Sequence, residues 1–293
     1  MSDISIKIGD RIIDLNTPRV MGILNVTPDS FSDGGQFHAG SESGVFRIAL
    51  DKTLAHAEAM LVSGASIIDV GGESTRPGAQ AIGEQEEADR VLPVIEAIVN
   101  RLDVAVSVDT STPSVMRAAI GLGAGLVNDV RALGRAGALE ALVHQDAAIC
   151  LMHMRGQPET MQNDADYADV VEEVMAFLRA RIDVCLERGI ARERLILDPG
   201  FGFGKTAAHN YQLLRELKRF QSLGLPILIG VSRKSMLGAA TGRAVDLRLA
   251  AGIAATMVAL LNGAAIVRTH DVAQTIDAIN IHRAIAGAPI TQG

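Results

Sequence analysis

VAVSVDTSTPSVMRAAIGLGAGLVND, residues 104–129, is the stretch on which the fold turns. Val104–Val108 is a short apolar run that closes on Asp109, Thr112–Gly121 reads as a helix, and Gly125–Val127 is a second apolar run that closes on Asn128. Neither run alternates apolar with polar residues, as a strand with one wet face would. Both read as strands covered on two sides, the state found in parallel sheets. Parallel strands need a crossover connection, and the helix between the runs supplies it.

The unit repeats outward in both directions. Val20–Leu24 and Ile67–Val70 precede it, and Ala148–Leu151, Leu195–Leu197, Pro226–Val231 and Ala264–Val267 follow. Helices are expected over Ser43–Ser63, Glu86–Asn100, Tyr167–Arg188, Asn210–Gln221 and Asp246–Leu261, with another after Asp271. Eight such strands interleaved with helices predict an α/β fold, a (β/α)8 TIM barrel rather than an open doubly wound sheet. The N-terminus departs from the rhythm. Ile4–Ile8 and Arg11–Asp14 alternate around Gly9-Asp10, which predicts a β-hairpin within residues 1–18, placed to cover the barrel floor. No Pro/Gly/Ser-rich linker interrupts the chain, so a single domain over 1–293 is expected.

Composition narrows the function classes. The chain is 48% hydrophobic and 21% charged, which excludes general disorder and fibrous organisation. Two Cys cannot build a disulfide framework, and no CxxC or His/Cys cluster offers a zinc site. Cys185 falls on the apolar face of Tyr167–Arg188 with Val170, Val174, Phe177 and Leu178, and Cys150 lies inside an apolar run, so both read as core residues. A net charge of −7, with seven Phe, two Tyr and no Trp, argues against a nucleic-acid partner. Met1-Ser2-Asp3-Ile4 lacks the basic and apolar regions of a signal peptide, so the cytoplasm is expected. Leu249–Val267 is an uncharged run long enough to cross a bilayer, but Asn262-Gly263 breaks it and it reads as a helix followed by a strand; no membrane partner is expected.

In a barrel of this kind the site lies beyond the C-terminal ends of the strands. Reading those ends in order gives Asn25, Glu73-Ser74-Thr75-Arg76, Asp109, Asn128-Asp129, Met152-His153, Asp198, Ser232-Arg233-Lys234, and Arg268 with His270. Asp109, Asn128 and Asp198 each end an apolar strand, where an unpartnered carboxylate or amide costs a few kcal/mol. Capping of the next helix would satisfy any one of them, but a shared site explains the set. Two carboxylates and an amide match the edge of a flat amino-heterocycle with adjacent N–H groups. Arg76, Arg233, Lys234, Arg268 and His270 suit phosphate or carboxylate oxygens. The expected ligand is therefore heterocyclic at one end and anionic at the other. Gly200–Thr206 resembles the end of a phosphate-binding loop, but Pro199 stands where its first Gly is required, so a βα loop carrying Phe203 toward the site is the better reading. Asn25–Gly35, with Phe31 at its centre, reads as a mobile lid.

These residues resemble the dihydropteroate synthase family. The resemblance is carried by Asn25–Gly35 (NVTPDSFSDGG), Gly71–Gly78 (GGESTRPG), Ser107–Thr110 (SVDT), Asn128-Asp129, Leu151–Met154 (LMHM), Asp198–Lys205 (DPGFGFGK), Ser232–Met236 (SRKSM) and Arg268–Asp271 (RTHD), in that order from about Ile4 to the final helix. Thr112 stands where some members carry Lys, and Arg155-Gly156-Gln157 also varies.

The resemblance implies condensation of 6-hydroxymethyl-7,8-dihydropterin pyrophosphate with p-aminobenzoate to give 7,8-dihydropteroate and pyrophosphate, in folate biosynthesis. It assigns the pterin to Asp109, Asn128, Asp198 and Lys234, with Met152 packed on the ring, and the pyrophosphate to Asn25, Arg268 and His270. Asn25 would also contact Mg2+. Thr75, Arg76, Pro77, Phe31, Phe203, Ser232 and Arg233 would form the p-aminobenzoate site, where sulfonamides compete. Asp198, Lys234, Arg268 and His270 would carry the chemistry, and the family implies a homodimer. A pterin-binding methyltransferase of the same barrel class would share the Asp/Asn contacts to a pterin but need neither a pyrophosphate clamp nor the two early loops. A non-catalytic pterin- or anion-binding protein is the other alternative, and the presence of Asn25, Asp109, Asp198, Lys234, Arg268 and His270 counts against it.

Overall fold

A computed structural model describes residues 4–26, 50–73, 82–156, 161 and 165–287. After the hairpin β1 (Ser5–Ile8) and β2 (Arg11–Asp14), eight strands follow: β3 (Arg19–Asn25), β4 (Ile67–Gly71), β5 (Ala105–Asp109), β6 (Leu126–Asp129), β7 (Ala148–Met152), β8 (Leu195–Asp198), β9 (Leu228–Ile229) and β10 (Ile266–Thr269). Their order around the sheet is β8-β7-β6-β5-β4-β3-β10-β9, with every pair parallel. A parallel bridge from Leu197 to Ile227 joins the two ends of the ring. The expected barrel is therefore the observed one.

Nine helices among the described residues surround it: α1 (Leu50–Val62), α2 (Glu84–Arg101), α3 (Pro113–Gly121), α4 (Ala138–Leu142), α5 (Val170–Glu187), α6 (Ala207–Arg215), α7 (Ser235–Thr241), α8 (Leu249–Leu261) and α9 (Val272–Ile285). Local chemistry explains their starts. Pro113 opens α3, where its missing N–H is no loss. Asp169 caps α5 by accepting from Val171 N at 3.0 Å and Glu172 N at 3.2 Å. A capping box between Thr206 and His209 starts α6 three residues before the expected Asn210. That helix also ends early, at Arg215, and a 3-10 segment, Leu217–Leu223, completes the connection up to Gly224. The strand expected over Pro226–Val231 contracts to Leu228–Ile229, because it pairs with β10 at two positions and meets β8 only through the bridge. Of the expected Ser43–Ser63 helix, Ser43–Ala49 lie outside the described residues.

Period-two alternation sorts each strand into two buried faces. Val20, Ile68, Val106, Val127, Ile149, Leu197 and Val267 pack outward with the helices, alongside Cys185. Met21, Ile67, Ala105, Leu126, Ala148, Ile196, Leu228 and Ile266 fill the barrel near its N-terminal end. The hairpin adds Ile6, Ile8 and Leu15 to that inner cluster and so closes the floor. Gly125 permits the approach: a Cβ there would stand 1.9 Å from Gly9 N. Two residues further along several strands the inner face turns polar, with Asp69 above Ile67, Asn128 above Leu126, Asp198 above Ile196 and Arg268 above Ile266. The site sits on this polar upper layer.

Candidate active site

Arg268 organises one side of the mouth. Its Nε donates to Asp69 Oδ2 at 2.6 Å and its Nη2 to Asp109 Oδ2 at 2.7 Å. Asn128 Nδ2 donates to the same Asp69 oxygen at 3.0 Å. Burial opposes the guanidinium's charge, but Asp69 and Asp109 outweigh it and hold Arg268 above its ordinary range. Burial pushes the Asp109 carboxyl up to about 7, against the pull of Arg268 and with added repulsion from Asp69, Asp129 and Glu87.

Across the mouth, Asp198 ends β8 opposite Met152, its register partner on β7. Gly200 N donates to Asp198 Oδ1 at 2.7 Å. Lys234 Nζ donates to Phe201 O and lies 4.4 Å from the centre of the Phe203 ring, a cation–π contact. Burial lowers Lys234 to about 8 despite the favourable charge of Asp198, and burial also raises Asp198. A carboxyl and an amine that both resist ionisation in place are suited to a ligand that supplies the missing hydrogen bonds.

A third group joins the β9–α7 and β10–α9 connections. Ser232 Oγ lies 3.0 Å from His270 Nδ1, and Arg233 Nη2 donates to Asp271 Oδ1 at 3.0 Å. Arg233 adopts φ 59, the left-handed region, and Arg248 Nη1 donates to its carbonyl at 3.0 Å. Asn25 closes β3 beside β4. A Cβ built on Gly71 would stand 3.5 Å from Asn25 Oδ1 and 3.7 Å from Asp109 Oδ2, so these two oxygens border one space. Next to Met152 a cavity of about 500 Å3 is lined by Met154, Phe177, Glu73, Arg131 and Arg135.

Asn25, Asp109, Asn128, Met152, Asp198, Phe203, Ser232, Arg233, Lys234, Arg268 and His270 thus lie at the C-terminal ends of the strands or in the loops that follow. Phe31, Thr75, Arg76 and Pro77 lie outside the described residues, as does the expected lid beyond Val26. The sequence reading missed Asp69, which holds both Arg268 and Asn128; a carboxylate inside the run Ile67–Val70 was the available signal. It also missed Glu87, whose carboxylate accepts from Thr110 and Thr112 at 2.5 Å each and fastens α2 to the end of β5. Asp129, beside Asn128, proves architectural: it accepts from Ser111, from Arg131 N at 2.8 Å and from Leu133 N at 2.7 Å.

A sequence profile described as pterin binding enzyme matches residues 21–270. A dihydropteroate synthase of Haemophilus influenzae is 50% identical over 279 residues, covering 95% of this chain and 98% of the relative. The chain belongs to the dihydropteroate synthases. Solved structures agree over the whole barrel. The Yersinia pestis dihydropteroate synthase with a sulfonamide drug superposes with a TM-score of 0.90 at 47% identity, covering 97% of this chain and 100% of the other. The Xanthomonas albilineans dihydropteroate synthase in complex with 7,8-dihydropteroate gives 0.85 at 42% identity, covering 97% and 100%. The (β/α)8 fold and the N-terminal hairpin expected from sequence are therefore those of dihydropteroate synthases. Among the described residues no helix is long and apolar enough to cross a membrane, and Leu249–Val267 is α8 followed by the start of β10.

Proposed function

We propose that the chain joins the methylene of 6-hydroxymethyl-7,8-dihydropterin pyrophosphate to the amine of p-aminobenzoate, forming 7,8-dihydropteroate and releasing pyrophosphate. The observation that carries this reading is the convergence of Asp109, Asn128, Asp198, Lys234 and Arg268 on one barrel mouth. The two carboxylates and the amide accept from and donate to the pterin edge, Lys234 donates to its acceptors, and Met152 supplies an apolar face. The Haemophilus and Yersinia relatives carry the same activity in their names, and the Xanthomonas relative holds this product.

The bond from carbon to the pyrophosphate oxygen breaks ahead of attack, an SN1-like course. The electron-rich dihydropterin spreads the positive charge on the methylene, and Asp198 opposes it electrostatically. The carbon–nitrogen bond then forms with the neutral aniline, whose proton passes to solvent, so no strong base is needed. Arg268 and His270 hold the leaving group. Phe203, Ser232 and Arg233, with Phe31, Thr75, Arg76 and Pro77, hold p-aminobenzoate, and sulfonamides compete there. Asn25 Oδ1 suits a hard cation such as Mg2+, which takes few protein oxygens and completes its shell from phosphate and water. Among the described residues no group of three acidic, His or Cys side chains competes for the ion. When bound, Mg2+ supplies neutralisation of charge on the departing pyrophosphate.

The chain acts as a cytoplasmic homodimer in this reading. The exposed Leu249, Val258, Leu261, Ile281 and Ile285 on α8 and α9 give it an apolar face to cover. Sedimentation of the protein and of Leu261→Glu tests the dimer; a monomeric parent overturns it. Mixing both substrates with Mg2+ and following pyrophosphate tests the activity, and Asp198→Ala tests its chemistry. The expected loss is about 10²-fold or more in turnover. Near-normal turnover at saturating substrate would remove Asp198 from the mechanism.

A further inference from the structure

Gly200–Thr206, the segment whose sequence resembles the end of a phosphate-binding loop, uses its lysine quite differently. Lys205 is 3% exposed and turned inward. Its Nζ donates to Gly200 O at 2.8 Å and Phe203 O at 3.0 Å, with His153 O at 3.3 Å and His153 Nδ1 at 2.9 Å. Burial and the nearby Lys205 charge hold His153 down to about 2, so the ring is neutral and Nδ1 can accept. Burial pushes Lys205 itself well below the ordinary lysine range. A side-chain nitrogen occupied by main-chain oxygens and an imidazole is a structural peg; it does not reach out to a phosphate.

We propose that Lys205 is a positioning residue for the reaction, fixing the β8–α6 connection against the β7–α5 connection so that Asp198 and Phe203 face the ligand. This rests on the reading of Asp198 and Phe203 as site residues. Gly200 links the peg to Asp198: its carbonyl accepts from Lys205 while its N–H donates to Asp198 Oδ1. Phe203 links the peg to Lys234: its carbonyl accepts from Lys205 and its ring lies against the Lys234 ammonium. The two connections touch through bare backbone. A Cβ on Gly200 would stand 1.8 Å from His153 O, and one on Gly204 would stand 2.5 Å from Arg155 O. Both glycines have positive φ, so a side chain at either position would strain the backbone as well as the contact. Tyr167 Oη, donating to Gly204 O at 3.0 Å, is a second tie between the same connections.

The chain has no Trp, so Phe203→Trp installs a lone fluorescent reporter at the tip of the loop. Acrylamide quenching of that reporter is measured with Lys205 and with Lys205→Met or Lys205→Gln. In parallel, kcat and KM are measured for the two Lys205 variants with Phe203 intact, at a temperature where circular dichroism shows each to be folded. The Met variant is expected to raise quenching about twofold as the loop opens locally. It is expected to lower kcat/KM for p-aminobenzoate about 10²-fold, the cost of misplacing reacting groups by an ångström. The Gln variant, which keeps an NH2 group to donate, should fall between. Unchanged quenching and kcat/KM with only a lower Tm overturns the proposal. Failure of both variants to fold also overturns it, assigning Lys205 to the fold. A parent enzyme that releases no pyrophosphate refutes the proposed activity, while the quenching result still decides the role of Lys205.

Discussion

Replacing Asp69 by Ala removes the residue that holds Arg268 and Asn128 together. Asp69 is fully buried, and its Oδ2 accepts from both partners while Oδ1 has no partner among the described residues. A charge-assisted bond from the guanidinium contributes about 1.5–3 kcal/mol net, and the Asn128 bond adds about 1 kcal/mol. Relief of the unpartnered oxygen works in the other direction. The expected cost is about 3 kcal/mol, at the lower end of the range for breaking a buried pair. The assay is urea unfolding followed by circular dichroism on the parent, Asp69→Ala, Arg268→Ala and the double variant. Because the two side chains touch, the cycle should give a coupling of about 2 kcal/mol, so the double variant is far less damaged than the sum of the singles. Asp69→Asn keeps a carbonyl oxygen for Arg268 Nε but loses the charge, and should cost about half as much. A coupling under about 0.5 kcal/mol would falsify the assignment of Asp69 as the anchor of Arg268.

Gly125→Ala should force the hairpin off the barrel floor, since the new Cβ would meet Gly9 N and Ile8 C; the expected loss is about 3 kcal/mol in thermal unfolding. Gly121→Ala, which meets nothing within 4 Å, is the control and should be neutral or stabilising by up to about 1 kcal/mol. Lys234 is lowered from 10.5 to about 8, so between those values the unfolded chain binds a proton that the folded site has lost, and the Lys234 contribution to stability rises with pH across that window. Pterin pyrophosphate affinity, which needs the charged amine, should weaken as pH rises through about 8, and calorimetry should find that step missing in Lys234→Met. Chelation of Mg2+ should suppress pyrophosphate release, and Asn25→Ala should raise the Mg2+ concentration needed to restore it about tenfold or more; an unchanged requirement removes Asn25 from the metal site.

The barrel was legible because its strands are mostly apolar and most close on a polar residue, so the alternation of strand and helix could be followed by eye. Asp109, Asn128 and Asp198 stood out for the same reason. Asp69 did not, because it lies in the middle of its strand and reads as an interruption; only the closed ring puts it beside Arg268, 199 residues away. Lys205 and His153 are neighbours through a contact between two loops, which no local pattern encodes. The short helices α4 and α7 escaped because five and seven residues are too few for a helical period to declare itself. Cationic side chains in the mouth were legible as types but not as pairs: Arg233 lies against Asp271, and Arg268 against Asp69 and Asp109.

The hairpin across the floor also decides which end of the barrel is exposed. Met21, Ile67, Leu126, Ile196 and Ile266 already fill the lower barrel, and Ile6, Ile8 and Leu15 cover them, so the polar layer is approached from the C-terminal end of the strands. On the proposed reading the pterin contacts lie on the strand ends and the p-aminobenzoate contacts on the loops beyond them. The pterin then sits deeper than its partner, and the finished pteroate spans both layers.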